Sequence, residues 1–391
     1  MTGTFDFVVL GGGIAGTSTA AHLAQAGSVC LLEMEDQPGY HATGRSAALF
    51  SEAYGNDVIR CLTRASRKHF YDPPQGFCAS ALVRPRGVLA LAHDGQADVL
   101  DAFIESMSVV EPLERLSAQE AAALCPIVRP ECLVGAALGR GPADIDVHEL
   151  HQGYLRKLRA QGGQARMRTR VSGLVHDGSR WRVETSEGEV CADVVINAAG
   201  AWANELGTLA GALDIGLRAL KRTACLVPAP PGMNVGAWPM VVNVAEEFYL
   251  KPDAGLLLLS PADETPSPPC DAQADELDVA IAIDRVQQAT TLDVRRVSHR
   301  WAGLRSFVAD SSPVVGFDPL APHFFWVAAL GGFGIQTAPA VGRIAAQLAS
   351  RRGMDADILE HGVDVEALRP ERSYSVDGME HRIGVARGQL G

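Results

Sequence analysis

Phe5-Asp6-Phe7-Val8-Val9-Leu10 runs directly into Gly11-Gly12-Gly13-Ile14-Ala15-Gly16, and this junction decides the fold. The apolar run predicts a buried parallel strand. The Ala-rich stretch 15–26 predicts a helix, and Ser28-Val29-Cys30-Leu31-Leu32 a second strand that ends in Glu33. Strand, glycine turn, helix, strand and acid together form a dinucleotide-binding fingerprint in its βαβ context. Gly11 permits the tight turn, Gly13 lets the backbone approach a pyrophosphate, and Gly16 lets helix and strand pack closely. The helix start, at Ile14 and Ala15, presents free N–H groups and a positive dipole end to that pyrophosphate. Glu33, 17 residues beyond Gly16, is placed to bind a ribose hydroxyl.

A chain of 391 residues points to two domains, or to one large α/β unit with an insertion. Apolar content of 47% and charged content of 20% place it among globular proteins. A net charge of −12 without any basic run argues against nucleic acid as a partner. No apolar run reaches the ~18 residues of a membrane span, so no transmembrane segment is expected. The first strand begins near residue 5, which leaves no room for a leader. The eight cysteines are scattered without a C-x-x-C pair, which reads as free thiols and a cytoplasmic location.

Further along, 35–56 is a polar loop, 57–71 an amphipathic helix, and 81–93 a pair of strands around Pro85-Arg86-Gly87. Ser117 and Glu120 suggest a capping box for a helix over 117–124. A helix is expected over 146–160, strands over 165–176, 179–185 and 188–192, and a buried strand from Val194 to Gly200. Residues 217–260 alternate like antiparallel strands, 262–272 read as a Pro-rich loop, and 275–292 as a helix. Phe324–Ala329 leads through Gly331-Gly332-Phe333-Gly334-Ile335 into an Ala-rich helix over 337–350. Segments with dinucleotide-fold character are thus separated by antiparallel ones, which predicts a discontinuous cofactor domain with a second domain interleaved.

The set Gly11-x-Gly13-x-x-Gly16…Glu33, Thr43-Gly44-Arg45-Ser46, Asn197-Ala198-Ala199-Gly200-Ala201-Trp202, Asp310-x-x-Pro313-x-x-Gly316 and Gly331-Gly332-x-Gly334 occurs in order. It resembles the D-amino-acid oxidase family of FAD flavoproteins, and within it the bacterial D-arginine dehydrogenases. The segments 249–255 and 301–310 carry the latter likeness, and the resemblance covers roughly residues 5–370. It implies an α/β protein: a discontinuous Rossmann-like FAD-binding domain (1–80, 146–216 and 300–370) with an interleaved α+β substrate domain on an antiparallel sheet (81–145 and 217–299). Residues 371–391 would be a tail. FAD is expected to be non-covalent, since no Cys or His stands at a convincing attachment point. Besides the glycines, Ile14, Ala15 and Glu33, the resemblance puts Gly44, Arg45, Ser46, Ala47, Ala199, Gly200, Trp202, Gly334 and Ile335 against the cofactor, with Arg45 and Ser46 at the pyrophosphate.

The implied reaction is oxidation of an amine beside a carboxylate, with hydride passing from the α-carbon to flavin and the imino acid hydrolysing to a 2-oxo acid and ammonia. A carboxylate substrate calls for a planar cationic fork. The resemblance assigns this to Arg305, with Arg222 as a second positive group. Arg305 also lies within an apolar run, where an unpaired charge would be costly. Tyr54 and Tyr249 match tyrosines that meet the substrate carboxylate, and Gly332 the carbonyl that accepts from its amine. The pocket departs from the D-arginine enzymes: Val88 stands in place of a Glu and Leu49 in place of a His. With Met240 and Val242 they describe an apolar pocket, to which Glu52 could restore an acid. An amino-acid substrate with an apolar side chain follows, and the electron acceptor, whether quinone, redox protein or oxygen, is open. Glycine- or sarcosine-type amines, 2-hydroxy acids, and a ligand-binding protein without turnover remain alternatives. His148 and His151 share a helix without a third ligand, so no metal is expected, and surface or capping roles are favoured for them. His41 reads as a solvated loop residue.

Overall fold

The computed structural model describes residues 3–372; the expected tail lies almost entirely outside the described residues. An eight-stranded sheet forms the cofactor half. Its path runs Val171–His176, Trp181–Thr185, Gly188–Asn197, Gly3–Leu10, Val29–Leu32 and Gln164–Arg166. The opening strand pairs in parallel with both of its neighbours, Val8 lying opposite Val195 and Cys30. From Phe7 onward both faces are covered, which is why Phe7–Leu10 is apolar without interruption. Phe7, Val9, Leu31 and Ile196 enter the core beneath the helices Ile14–Leu23, Val147–Ala160 and Gly334–Ala349. Val8, Leu10, Leu32 and Val195 enter the opposite core with Trp181, Phe324 and Trp326.

The expected strands over 188–192 and 194–200 are one continuous strand, Gly188–Asn197. Its first half pairs antiparallel with Trp181–Thr185 and its second half parallel with Phe324–Ala328.

A nine-stranded sheet forms the other half, antiparallel except where Val88–His93 runs parallel to Met240–Asn243. Two details differ from the sequence reading. The strand His299–Phe307, expected at the start of the last FAD-binding stretch, lies in this second sheet, paired along its whole length with Arg218–Pro228. Val83–Pro85 and Val88–His93 do not pair with each other: the first joins a small sheet with Leu49–Phe50 and Ala143–Ile145. Glycine at 87 has a positive φ of 72°, which lets the chain leave one sheet for the other within two residues.

Capping chemistry sets the helix starts. Asn56, Ser117, Asp146 and Asp275 each accept a backbone N–H with their side chain at the first turn, and Ser117 with Glu120 forms the full capping box. Among the described residues no helix is long and apolar enough to cross a membrane. All eight cysteines are unpaired thiols.

Candidate active site

The glycine turn is held from four sides. Gly11 has φ +106°, and a Cβ there would stand 2.6 Å from the Ala198 carbonyl oxygen. A Cβ on Gly16 would stand 1.9 Å from the Gly11 carbonyl oxygen, so Gly16 serves helix–strand packing and does not itself face the cavity. Glu33 accepts from the Gly12 N–H at 2.7 Å and from the Glu35 N–H at 2.9 Å, which fixes its carboxylate at the cavity edge. His151 is 4% exposed and bonds the Gly12 carbonyl through Nε2 at 2.8 Å, correcting the expectation of a surface or capping role. Burial pushes its pKa down, so it is a neutral donor. Thr43 Oγ1 accepts from the Ile14 N–H at 3.0 Å, leaving Gly13 as the open point of the turn. A Cβ on Gly13 would meet only that Thr43 oxygen, at 3.3 Å.

From this turn an elongated cavity runs between the two halves. Its walls are mostly small: Gly11, Gly13, Ala15, Ala199, Gly200, Gly303, Ala328, Gly331, Gly332 and Gly334. Ile14, Glu33, Ser46, Ala47, Trp202 and Ile335 also line it, as the sequence reading expects. Gly44 does not; its N–H closes the 39–44 turn on the Gly39 carbonyl at 2.7 Å. His41 is not a solvated loop residue: it lies in the wall, its ring 4.6 Å from that of Trp202 and its Nε2 2.9 Å from Glu35. A long slot floored by glycine and alanine, with a helix start and an acid at one end, fits FAD, whose pyrophosphate needs close backbone approach.

At the inner end stands Arg305. The strand His299–Phe307 turns Trp301, Gly303 and Arg305 to one face by its two-residue period. The glycine turn after 330 docks on this strand, with the Gly331 N–H donating to the Ser306 carbonyl at 2.9 Å. Gly331 has φ +56°, and a Cβ there would run into the Phe307 ring at 2.4 Å. Gly332 packs against the guanidinium: its Cβ would sit 2.9 Å from Arg305 Cζ. Arg305 is half-buried, and among the described residues no carboxylate pairs with it. Burial works against its charge, but the Tyr54 and Tyr249 phenols and the Glu264 carboxylate hold its pKa above the ordinary value. Tyr54 is 37% exposed and its ring lies tilted against Phe333 at 5.0 Å, its hydroxyl beside Arg305. Burial raises the Tyr54 pKa, and it remains a neutral donor. The helix Gly334–Ala349 begins at this point, directing its dipole toward the cavity.

Three expected roles change. Arg222 lines the cavity but is not a free cation: Nη2 pairs with Glu264 at 2.9 Å and Nε donates to the Asp263 carbonyl at 2.8 Å. Arg45 also lines it, yet its guanidinium is consumed by the Ala272 and Ala302 carbonyls, each at 2.8 Å, and by Asp271. Glu52 pairs with Arg67 at 2.6 Å and lines a separate cleft with Asp57, Arg60 and Arg64, so it supplies no acid to the cavity. Of the expected side-chain walls, Met240 and Val242 join Ala47, Leu226 and Trp301 around Tyr249 and Ala224. Val88 is paired with Met240, and Leu49 with Asp144 in the small sheet; none of Leu49, Val88, Met240 and Val242 lines the cavity itself. His151, Thr43, Glu264 and Asp271 have no spacing or motif signal for these contacts. They arise from tertiary packing of residues 29 to 226 positions apart.

A dinucleotide slot that ends at an arginine between two phenols marks the site of a cofactor-dependent enzyme. The chain belongs to the FAD dependent oxidoreductase (DAO) family, whose model matches residues 6–348. It is an FAD-dependent oxidoreductase. It is 23% identical over 373 residues to glycine oxidase of Geobacillus kaustophilus, covering 92% of this chain and 96% of that one. It is 24% identical to the uncharacterized oxidoreductase YurR of Bacillus subtilis, covering 90% and 97%. In fold it is similar to the crystal structure of the G. kaustophilus glycine oxidase (TM-score 0.82, 21% identity, 95% and 100% covered). The L-proline dehydrogenase from P. horikoshii is a second such neighbour (TM-score 0.81, 22% identity, 95% and 98% covered).

Proposed function

We propose that this protein oxidises D-amino acids, with apolar side chains preferred over basic ones. The observation that carries the reading is Arg305: a half-buried guanidinium without a carboxylate partner, packed on Gly332 and flanked by Tyr54 and Tyr249. A buried charge left unpaired is costly unless a ligand completes it, and a planar fork suits a carboxylate.

In this reading Arg305 binds the substrate carboxylate, and Tyr54 and Tyr249 donate to it. The Gly332 carbonyl accepts from the amine, which orients the α-carbon. The substrate ammonium first loses one proton to solvent, and the neutral amine then gives up its α-hydrogen with the electron pair, so no protein base is required. FAD, held without a covalent bond, supplies the two-electron acceptor for the α-hydrogen and its electron pair. The resulting imino acid adds water and loses ammonia, giving the 2-oxo acid. The D hand follows the family resemblance of residues 249–255 and 301–310. The apolar preference follows from Met240 and Val242 at Tyr249, with Val88 beside Met240.

A second reading, oxidation of glycine-type or cyclic secondary amines, is favoured by the relatives: one is a glycine oxidase and one an L-proline dehydrogenase. Anaerobic mixing of the purified yellow protein with D-leucine, D-methionine, D-phenylalanine, D-arginine, glycine, sarcosine and L-proline separates the two. Bleaching of the visible flavin band by the apolar D-amino acids is expected. Bleaching by glycine, sarcosine or L-proline alone would replace the proposal with the second reading. Readmitting air then distinguishes an oxidase from a dehydrogenase.

A further inference from the structure

Arg45 stands in the wall of the cofactor cavity, and an arginine there is naturally assigned to a phosphate. Its bonds say otherwise. Nη1 donates to the carbonyls of Ala272 and Ala302 at 2.8 Å each, Nε donates to the Tyr40 carbonyl at 3.3 Å, and Nη2 pairs with Asp271. The Tyr40 ring lies 5.1 Å from the guanidinium carbon, and the Tyr40 hydroxyl reaches Asp271 at 3.4 Å. The Arg45 backbone carbonyl in turn accepts from Trp301 Nε1 at 3.0 Å.

One side chain therefore ties together three segments: the polar loop 39–47, the loop 270–272 that reaches over from the second sheet, and the strand His299–Phe307. All three are cavity walls. Cys270 and Ala272 face the cavity, while Asp271 between them does not border it and its side chain is 48% exposed. Arg45 is the inner partner, with 13% of its side chain exposed, and it holds the Asp271 carboxyl below the usual carboxylate range.

We propose that Asp271, acting through Arg45, latches loop 270–272 against loop 39–47 across the cofactor cavity and so sets the rate at which FAD leaves. Asp271 is a positioning residue: it touches neither cofactor nor substrate. The alternative, that Arg45 grips the pyrophosphate directly, makes the opposite forecast. Releasing Arg45 from Asp271 would then free its charge for the phosphates and slow FAD loss.

The test is FAD dissociation from the holoenzyme, followed by the rise in flavin fluorescence after high dilution into flavin-free buffer. Asp271→Asn keeps the shape and removes the charge. An ion pair with one half-exposed partner is worth at most about 1 kcal/mol, so dissociation is expected to accelerate about three- to fivefold. In an Arg45→Met background the same Asp271→Asn change is expected to have no effect, because its partner is gone. Asp271→Glu is expected to restore the wild-type rate to within about twofold. Unchanged or slower release in Asp271→Asn overturns the proposal, and so does an equal acceleration in the Arg45→Met background. Far-ultraviolet circular dichroism of each variant separates a loosened loop from a misfolded chain.

Discussion

Gly332→Ala isolates the grip on the substrate carboxylate from every other feature of the site. Gly332 is not among the residues with positive φ, so alanine is acceptable to the backbone. The added methyl would stand 2.9 Å from Arg305 Cζ, 3.0 Å from Nη1 and 3.2 Å from Nε. Carbon atoms prefer about 3.5–4.0 Å, so the guanidinium must retreat by roughly 0.5–1 Å. A bidentate pair cannot keep both bonds through such a shift. A charge-assisted hydrogen bond is worth about 1.5–3 kcal/mol. Losing one of the two lowers kcat/KM for a D-amino acid about 10- to 150-fold. The carboxylate contact is made before and during reaction alike, so most of the loss is expected in KM. Steady-state kinetics with D-leucine or D-methionine measures this, and the visible flavin spectrum reports whether the cofactor is still bound. A holo-variant with kcat/KM within twofold of wild type would refute the assignment of Arg305 as the carboxylate clamp.

Val88→Glu places an acid opposite Met240, on the proposed side-chain wall; the ratio of kcat/KM for D-arginine to that for D-leucine is expected to rise at least tenfold, and an unchanged ratio would remove Val88 from the pocket. Acid should destabilise the protein through His69, whose pKa burial pushes down to about 4, with Lys157 and Arg343 adding to the effect. The folded state keeps this imidazole neutral while the unfolded chain protonates it near 6.5, so its contribution is complete above about pH 6.5 and is lost as pH falls toward 4. His69→Phe preserves the stacking on Tyr154 and removes a ring nitrogen that has no partner among the described residues. Its Tm should fall less than that of the wild type between pH 7 and 5, and equal slopes would contradict this.

The cofactor half was legible because its signals are local. A mostly apolar strand, three glycines and an acid stand within 29 residues (5–33), and Gly11 and Gly16 each sit where a Cβ would strike a backbone carbonyl. Helices announced by a side-chain cap were equally plain. The helix Ala97–Ser108 has no side-chain cap at its start, although Leu100, Phe103 and Ile104 form a stripe at helical spacing. Arg305 could be found, since an arginine inside an apolar strand needs a reason. What sequence could not convey was the commitment of the other charges. Arg222, Arg45 and Glu52 look like site residues until Glu264, Asp271 and Arg67 are folded onto them. His151 reads as a surface or capping residue but bonds the Gly12 carbonyl 139 positions away.

The strand His299–Phe307 and the glycine turn docked on it form one hydrogen-bonded unit, proposed to meet only the atoms every amino acid shares. The residues proposed to meet the variable part, Val88, Met240, Val242 and Leu49, sit on other strands, two of them on adjacent rungs. Diet and chemistry are therefore separately mutable. Saturation libraries at those four positions can be screened for new substrates without re-aligning the reacting carbon, and natural drift along the same walls would let one scaffold radiate into many specificities.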